Sequence, residues 1–296
     1  MAERLSEVET RLGSVRQLSS VITAMRGIAA ARSREAESRL AGVRHYAGTV
    51  GMAIGQALAL LNDGSNHGST AGEAPHRRGN PDASHLVIAL TAEQGFAGGF
   101  NVRVLQAVER LLAQAPAGRG ECLLVGDRGA MTANERGLPF TEVLPMVTHS
   151  DQVPGLADRI AQRLFERARK GLLGRLTLVY ALPSSARAGD LAQSRLLPFD
   201  YSGFERAPRN QPPLITLPPQ ALLARLTDEY LFAQLCEALL FSHAAENEAR
   251  VRAMVAARDN VARKLDELTA RARLLRQEQI TGEVVELAAG VQAGVR

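Results

Sequence analysis

At 296 residues, 46% hydrophobic and 22% charged, the chain falls in the ordinary globular range and has room for one large or two modest domains. Aromatic residues are only 4% and Trp is absent, so small apolar residues must do the packing, which suits close-packed helices better than a deep ligand pocket. The formal charge of +4 is mild, Cys122 and Cys236 lack metal-type spacing, and no run of about 18 apolar residues occurs, which argues against a disulfide framework, a zinc site or a bilayer-spanning helix.

The N-terminus carries Glu3, Glu7 and Glu9, an acidity that does not suit a targeting peptide, and Met1 is read as the start of a cytoplasmic protein. All 13 prolines lie between Pro75 and Pro219, which leaves both ends free to form long helices. Counting in sevens from Val8 gives Val8, Val15, Ile22, Ala29, Ala36, Val43 and Val50, with Leu5, Leu12, Leu40, Ala47 and Ile54 on the complementary seam. That heptad predicts an N-terminal coiled-coil helix over 1–61 with a partner helix. The second seam fails at Ser19, Arg26 and Ser33, where Arg26 is expected to face outward or toward a partner.

Residues 62–84 read as a flexible loop of Gly, Ser, His and Pro. "HLVIALT" then reads as a buried strand, "GFAGGFN" as a Gly-rich turn and "VRVLQAVERLLAQA" as a helix. "ECLLVGDRG" is a second strand and turn, "QVPGLADRIAQRLFERARKG" holds a helix, and "RLTLVYALPSS" is a third strand. Strands alternating with helices imply a mostly parallel sheet over 85–205. A Pro-rich connector follows over 206–219, and 220–296 is helical, an element that could approach roughly 110 Å. Its final stretch, "LLRQEQITGEVVELAAGV", has an apolar face too thin to bury itself.

Chemistry-bearing patterns are sparse. "TAEQGFAGGFN" stands between strand and helix, as a phosphate cradle would, but Gly95, Gly98 and Gly99 do not form GxGxxG, and a tight turn is the better reading. No GxxxxGK[ST] occurs, the six His are scattered, and the serines lack a nucleophile-elbow context, so no catalytic residue, metal site or cofactor is expected. Arg11, Arg16, Arg26, Arg32 and Arg34 occur with no acid between Thr10 and Arg34, and Arg250 to Arg276 is also rich in Arg. Antiparallel helices would gather these into a basic collar, which fits a nucleic-acid rod, an acidic protein sleeve or a solvated face.

Three blocks carry a resemblance. "RLGSVRQLSSVITAMRGIAAARSREA" (11–36), "EARVRAMVAARDNVARKLDEL" (248–268) and "RQEQITGEVVELAAG" (276–290) resemble the terminal helices of the gamma subunit of the rotary F-type ATP synthase. "VIALTAEQGFAGGFN" (87–101) takes the place of that family's SSDRGLCGGLN-like turn, with Glu93, Gln94 and Ala97 departing from it. The resemblance implies an α/β fold class: a long antiparallel coiled coil of N- and C-terminal helices with an inserted Rossmann-like α/β domain. It implies a central-stalk rotor in a ring of three alpha and three beta subunits, one copy per complex, gripping the epsilon subunit and the membrane c-ring. It also implies no catalytic group or cofactor of its own, no nucleic acid, and a place at the cytoplasmic face of a bacterial plasma membrane.

By position, Met25, Arg26, Arg250, Arg276, Gln277, Thr281 and Glu283 match residues at or near partner contacts, and Gly95, Gly98, Gly99 and Asn101 match the turn. A divergent bacterial branch is expected, driven by H⁺ or Na⁺, without thiol regulation. The readings set against it are a coiled-coil scaffold or nucleic-acid-binding protein, and a small nucleotide-dependent enzyme built on the insert.

Overall fold

The computed structural model describes residues 5–64, 84–116, 118–184, 190–205 and 213–293. The proposed loop over 62–84 therefore lies, from 65 to 83, outside the described residues, as do 206–212 of the proposed connector. The N-terminal helix α1 runs Leu5–Gly64 and the C-terminal helix, α5 here, runs Pro219–Ala293. Neither helix has an interior proline, and Pro219 sits at the first position of α5, where a missing N–H costs nothing.

By packing, the chain resolves into two units, Met1–Ala29 with Arg250–Arg296, and Ala30–Ala249. The first is a helix pair. Val8, Leu12 and Leu268 form its buried centre, flanked by Val15, Ala272 and Leu275. Arg276 Nη2 donates to Glu9 Oε1 at 2.6 Å, so rising numbers on α1 meet falling numbers on α5, and the pair is antiparallel. The heptad positions behave as the sequence predicts: Val8, Ile22 and Ala29 are buried and Val15 is half-buried.

The second unit is built on a five-stranded sheet in the order β3-β2-β1-β4-β5. Strands β1 (Ser84–Leu90), β2 (Gly120–Val125), β3 (Glu142–Leu144) and β4 (Leu173–Ala181) are parallel, and β5 (Leu191–Leu197) pairs antiparallel with β4. Strand β1 is apolar on both faces because both are covered. Leu86, Ile88 and Leu90 join a core shared with α4 (Val153–Arg169), with α1 from Ala36 to Leu58 and with α5 from Leu223 to Ala244. Val87 and Ala89 join a second core with α2 (Phe100–Ala113) and α3 (Asp127–Glu135).

The two long helices are antiparallel in this unit as well. Ser33 Oγ donates to Ala244 O, Arg44 Nε to Glu237 Oε1 at 2.7 Å, and the Tyr46 hydroxyl to Glu229 Oε2 at 2.8 Å. Ser33, which breaks the heptad seam, is thus buried and bonded across the pair. The segment after β5 folds back onto α1, where Phe199, Tyr201, Phe204 and Tyr230 pack edge to face and stacked. Gly55 permits that approach, since a Cβ there would stand 2.1 Å from the Glu205 carbonyl oxygen. Alanine at Gly55 is expected to destabilise the fold by about 1–3 kcal/mol, measurable as a lowered urea midpoint with unchanged slope.

His85 is buried in β1, its Nε2 2.9 Å from Thr177 Oγ1 on β4. Burial pushes its pKa down, with the neighbouring Arg175 charge adding to the effect. The unfolded chain then binds a proton that the folded chain refuses, so stability is full above the unfolded value of about 6.5 and falls as pH drops below it. Urea midpoints measured from pH 7.5 to 5 should fall, and His85→Gln should flatten that slope.

Candidate functional site

Two regions emerge as candidates, the C-terminal ends of the strands in the sheet unit and the outer face of α5 in the helix-pair unit. In a doubly wound sheet a ligand enters where the chain reverses direction across the strand order. Here β1, β2 and β3 step one way from β1, and α4 then carries the chain back to β4 on its other side, so the reversal falls between β1 and β4.

The turn after β1 is tightly braced. Thr91 Oγ1 donates to Val125 O at 2.7 Å, and Asn101 Oδ1 accepts the Ala92 N–H at 2.8 Å. Glu93 Oε2 accepts the N–H groups of Asp127 at 3.2 Å and Met146 at 2.7 Å, tying the turn to the start of α3 and to the chain after β3. Gly129 packs against this brace so closely that a Cβ would lie 1.8 Å from Thr91 Oγ1. Of the glycines singled out in the turn, Gly98 takes a left-handed φ of +56°, whereas Gly95 and Gly99 have ordinary φ and open space around them. Of the three, Gly98 is the one whose backbone conformation favours glycine. Asn101 braces the turn through its bond to Ala92.

The crevice at the reversal is filled by the chain itself. Ser242 Oγ of α5 donates to Leu90 O at 3.3 Å, the last residue of β1. One turn on, Ala245 and Ala249 pack with Ala92, Ala97, Val179 and Ala181. Glu248 then accepts the Ser184 N–H at 2.9 Å and its hydroxyl at 2.6 Å, fastening the segment after β4. Of the backbone amides at these strand ends, Ser184 N–H is bonded to α5, while those of Ala92, Asp127 and Met146 are taken by Asn101 and Glu93.

Among the described residues no cluster of His, Cys, Asp or Glu could hold a metal, and no helix is long and apolar enough to cross a membrane. Both cysteines are buried, which pushes the Cys122 thiol up to about 12 and Cys236 to about 11, so neither is a thiolate near neutral pH.

In the helix-pair unit, Arg276, Gln277, Thr281 and Glu283 all lie exposed on α5. Arg276 holds Glu9, Thr281 Oγ1 donates back to Gln277 O at 2.8 Å, and Glu283 accepts from Gln279 Nε2 at 3.0 Å. Ile280, before Thr281, and Val284, Val285 and Leu287, after Glu283, are each more than half exposed. Met25 and Arg26 are half-buried on α1. Arg250 differs, being buried at 5% exposure. Arg11, Lys264 and Arg271 share an open groove of about 760 Å³ with Glu267, so part of the expected basic collar forms.

A sequence model of the family described as ATP synthase matches residues 4–293. The chain is 29% identical to the ATP synthase gamma chain of Chlorobaculum tepidum, over 98% of each, and 29% identical to that of Solibacter usitatus, again over 98% of each. Among solved structures it is similar to a chain of the Euglena gracilis mitochondrial ATP synthase, with a TM-score of 0.62 at 13% identity over 98% of this chain and 94% of that one. A chain of the Tetrahymena thermophila mitochondrial ATP synthase central stalk and c-ring gives a TM-score of 0.54 at 20% identity, over 80% of this chain and 99% of that one. At those identities the structural likeness speaks for the fold, and with the match along nearly the whole sequence, the chain belongs to the ATP synthase gamma-chain family.

Proposed function

We propose that the chain is the central-stalk rotor of an F-type ATP synthase and that it donates no catalytic group. The observation that carries the reading is the family match from residue 4 to residue 293, which spans both long helices and the sheet between them. Nucleotide chemistry then belongs to a surrounding ring of three alpha and three beta subunits. One copy of this chain turns inside that ring, engages the epsilon subunit and the membrane c-ring, and binds no nucleic acid. It reaches the cytoplasmic face of the bacterial plasma membrane through the complex.

Coupling is allosteric. Each beta conformation binds the asymmetric rotor with its own free energy, so a rotation of about a third of a turn exchanges the nucleotide affinities of the three sites, and reciprocally ATP binding biases the rotor angle. The exposed outer face of α5 suits this task. Ile280, Val284 and Leu287, at i, i+4 and i+7, form one narrow apolar stripe. Such a stripe gives shallow contacts to an encircling protein, and interlocking ones would raise a barrier at every step, each kcal/mol slowing rotation about fivefold. Arg276 and Gln277 are assigned as donors to loops of the ring, with Met25, Arg26, Thr281 and Glu283 beside the same partners.

Support for the absence of a nucleotide site comes from α5 filling the reversal between β1 and β4. Calorimetric titration of the full chain with ATP should therefore give no saturable heat, and a micromolar dissociation constant would overturn this part of the reading. Replacing Arg276 and Gln277 together with Ala should leave the circular dichroism spectrum unchanged, because both are exposed. In reconstituted vesicles the same variant should lower coupled ATP synthesis by about tenfold, the effect of losing one strong contact. Synthesis at the unaltered rate would remove both residues from the contact set.

A further inference from the structure

The N-terminal ends of the strands, at the edge of the sheet away from the Ser242 crossing, gather cations around one exposed apolar residue. Strands β2, β1 and β4 begin side by side there, since the His85 N–H donates to Arg119 O at 2.8 Å and the Ser84 N–H to Leu172 O at 3.1 Å. With neighbouring strands about 4.8 Å apart, the backbones at Arg119 and Leu172 flank β1 at roughly 10 Å from each other. Helix α4 ends just before Leu172 in a Schellman cap: the Leu172 N–H donates to Arg167 O and the Gly171 N–H to Ala168 O, with Gly171 at φ +68°. In that motif the residue after the glycine ordinarily packs on an apolar side chain in the last turn of the helix. Here those positions hold Glu166 and Arg167, so Leu172 is left 50% exposed at the tip.

Arg169, Lys170 and Arg175 lie within three residues of Leu172, and all three are exposed, as is Arg119 across β1. The acids of this region offset them little. Glu121 accepts from Arg167 at 2.5 Å, Glu166 faces Arg163 at 3.8 Å, and Asp228 is half-buried, lining an apolar cavity with Leu173. Cations around a protruding apolar side chain match the two layers of an anionic leaflet, whose head groups take the charges and whose acyl boundary takes the leucine. Helix α5 lies by the start of β4 at Leu231 and Leu235 and reaches the far end of β1 at Ser242, so it leaves the sheet on the side opposite to this patch. On the rotor reading α5 continues into the ring, and the patch faces the membrane. A rotor also needs contacts without angular preference, because uneven ones slow every step. A fluid leaflet presents the same charge at every angle, and a fixed acidic protein does not.

We propose that Arg169, Lys170 and Arg175, with Leu172 among them and Arg119 across β1, form a docking surface for anionic lipid head groups. The inference rests on the rotor reading for the direction in which this surface faces. Because the chain has no Trp, Leu172→Trp places a single indole at the tip of the full-length protein. Phosphatidylglycerol vesicles should shift its emission to the blue, phosphatidylcholine vesicles should leave it unchanged, and high salt should reverse the shift. Adding Arg169→Gln and Lys170→Gln should raise the lipid concentration at half-shift about 25-fold, or about fivefold for each cation removed. Emission that ignores phosphatidylglycerol overturns the proposal even if the chain floats with the vesicles, since binding then runs through another surface. A shift given by polyglutamate and not by phosphatidylglycerol also overturns it and assigns the patch to an acidic protein. Assembly of the wild-type chain with the alpha and beta subunits of the same enzyme separates the two readings. If no complex forms, the rotor reading falls and takes with it the reason for a membrane nearby; if a complex forms and the indole does not respond, this inference falls alone.

Discussion

Much of this protein depends on α5 passing directly over the C-terminal ends of β1 and β4. A single hydrogen bond from Ser242 to Leu90, the small faces of Ala245 and Ala249, and the Glu248 grip on Ser184 fix the helix onto the C-terminal ends of these interior strands. Small residues are required there because the helix backbone must come close, and an alanine adds no conformational entropy cost to that approach. The same crossing places α5 at the reversal between β1 and β4.

That constraint gives a physical reason why a gamma-family chain keeps a sheet at all. A long helix pair alone would transmit twist poorly, since each contact along it is a few side chains wide. With both faces of the sheet buried, by α1, α4 and α5 on one side and α2 and α3 on the other, α5 is held from Leu223 to Ala249 by a broad core before it continues to Ala293. The helix is thus largely buried over that span, whereas every residue from Arg276 to Leu287 is exposed.

The sequence carried the long helices clearly, because Pro is excluded from both ends and the heptad from Val8 runs to Val50 without a miss. Strands β1, β2 and β4 were legible as apolar runs between turn signals. By contrast β3, with three residues, is set by pairing with β2 and has no pattern of its own. Strand β5, "LAQSRLL", lacks clear alternation and is fixed by its antiparallel register on β4. Helix α3 was hidden by Gly129, which sequence alone reads as a breaker and the fold needs for close approach to Thr91. Among site residues, exposure of Arg276 and Gln277 followed from the thin apolar face of the final stretch. The burial of Arg250 and the bracing role of Glu93 required tertiary contacts that no spacing in the sequence encodes.

Native-state hydrogen exchange tests the locking of α5 to the sheet most directly. If the crossing makes one cooperative unit, amides of α5 from 235 to 249 should open with the same free energy and denaturant dependence as those of β1 and β4. Exchange of that stretch of α5 in a separate, lower-energy opening, with β1 and β4 still protected, would contradict the account.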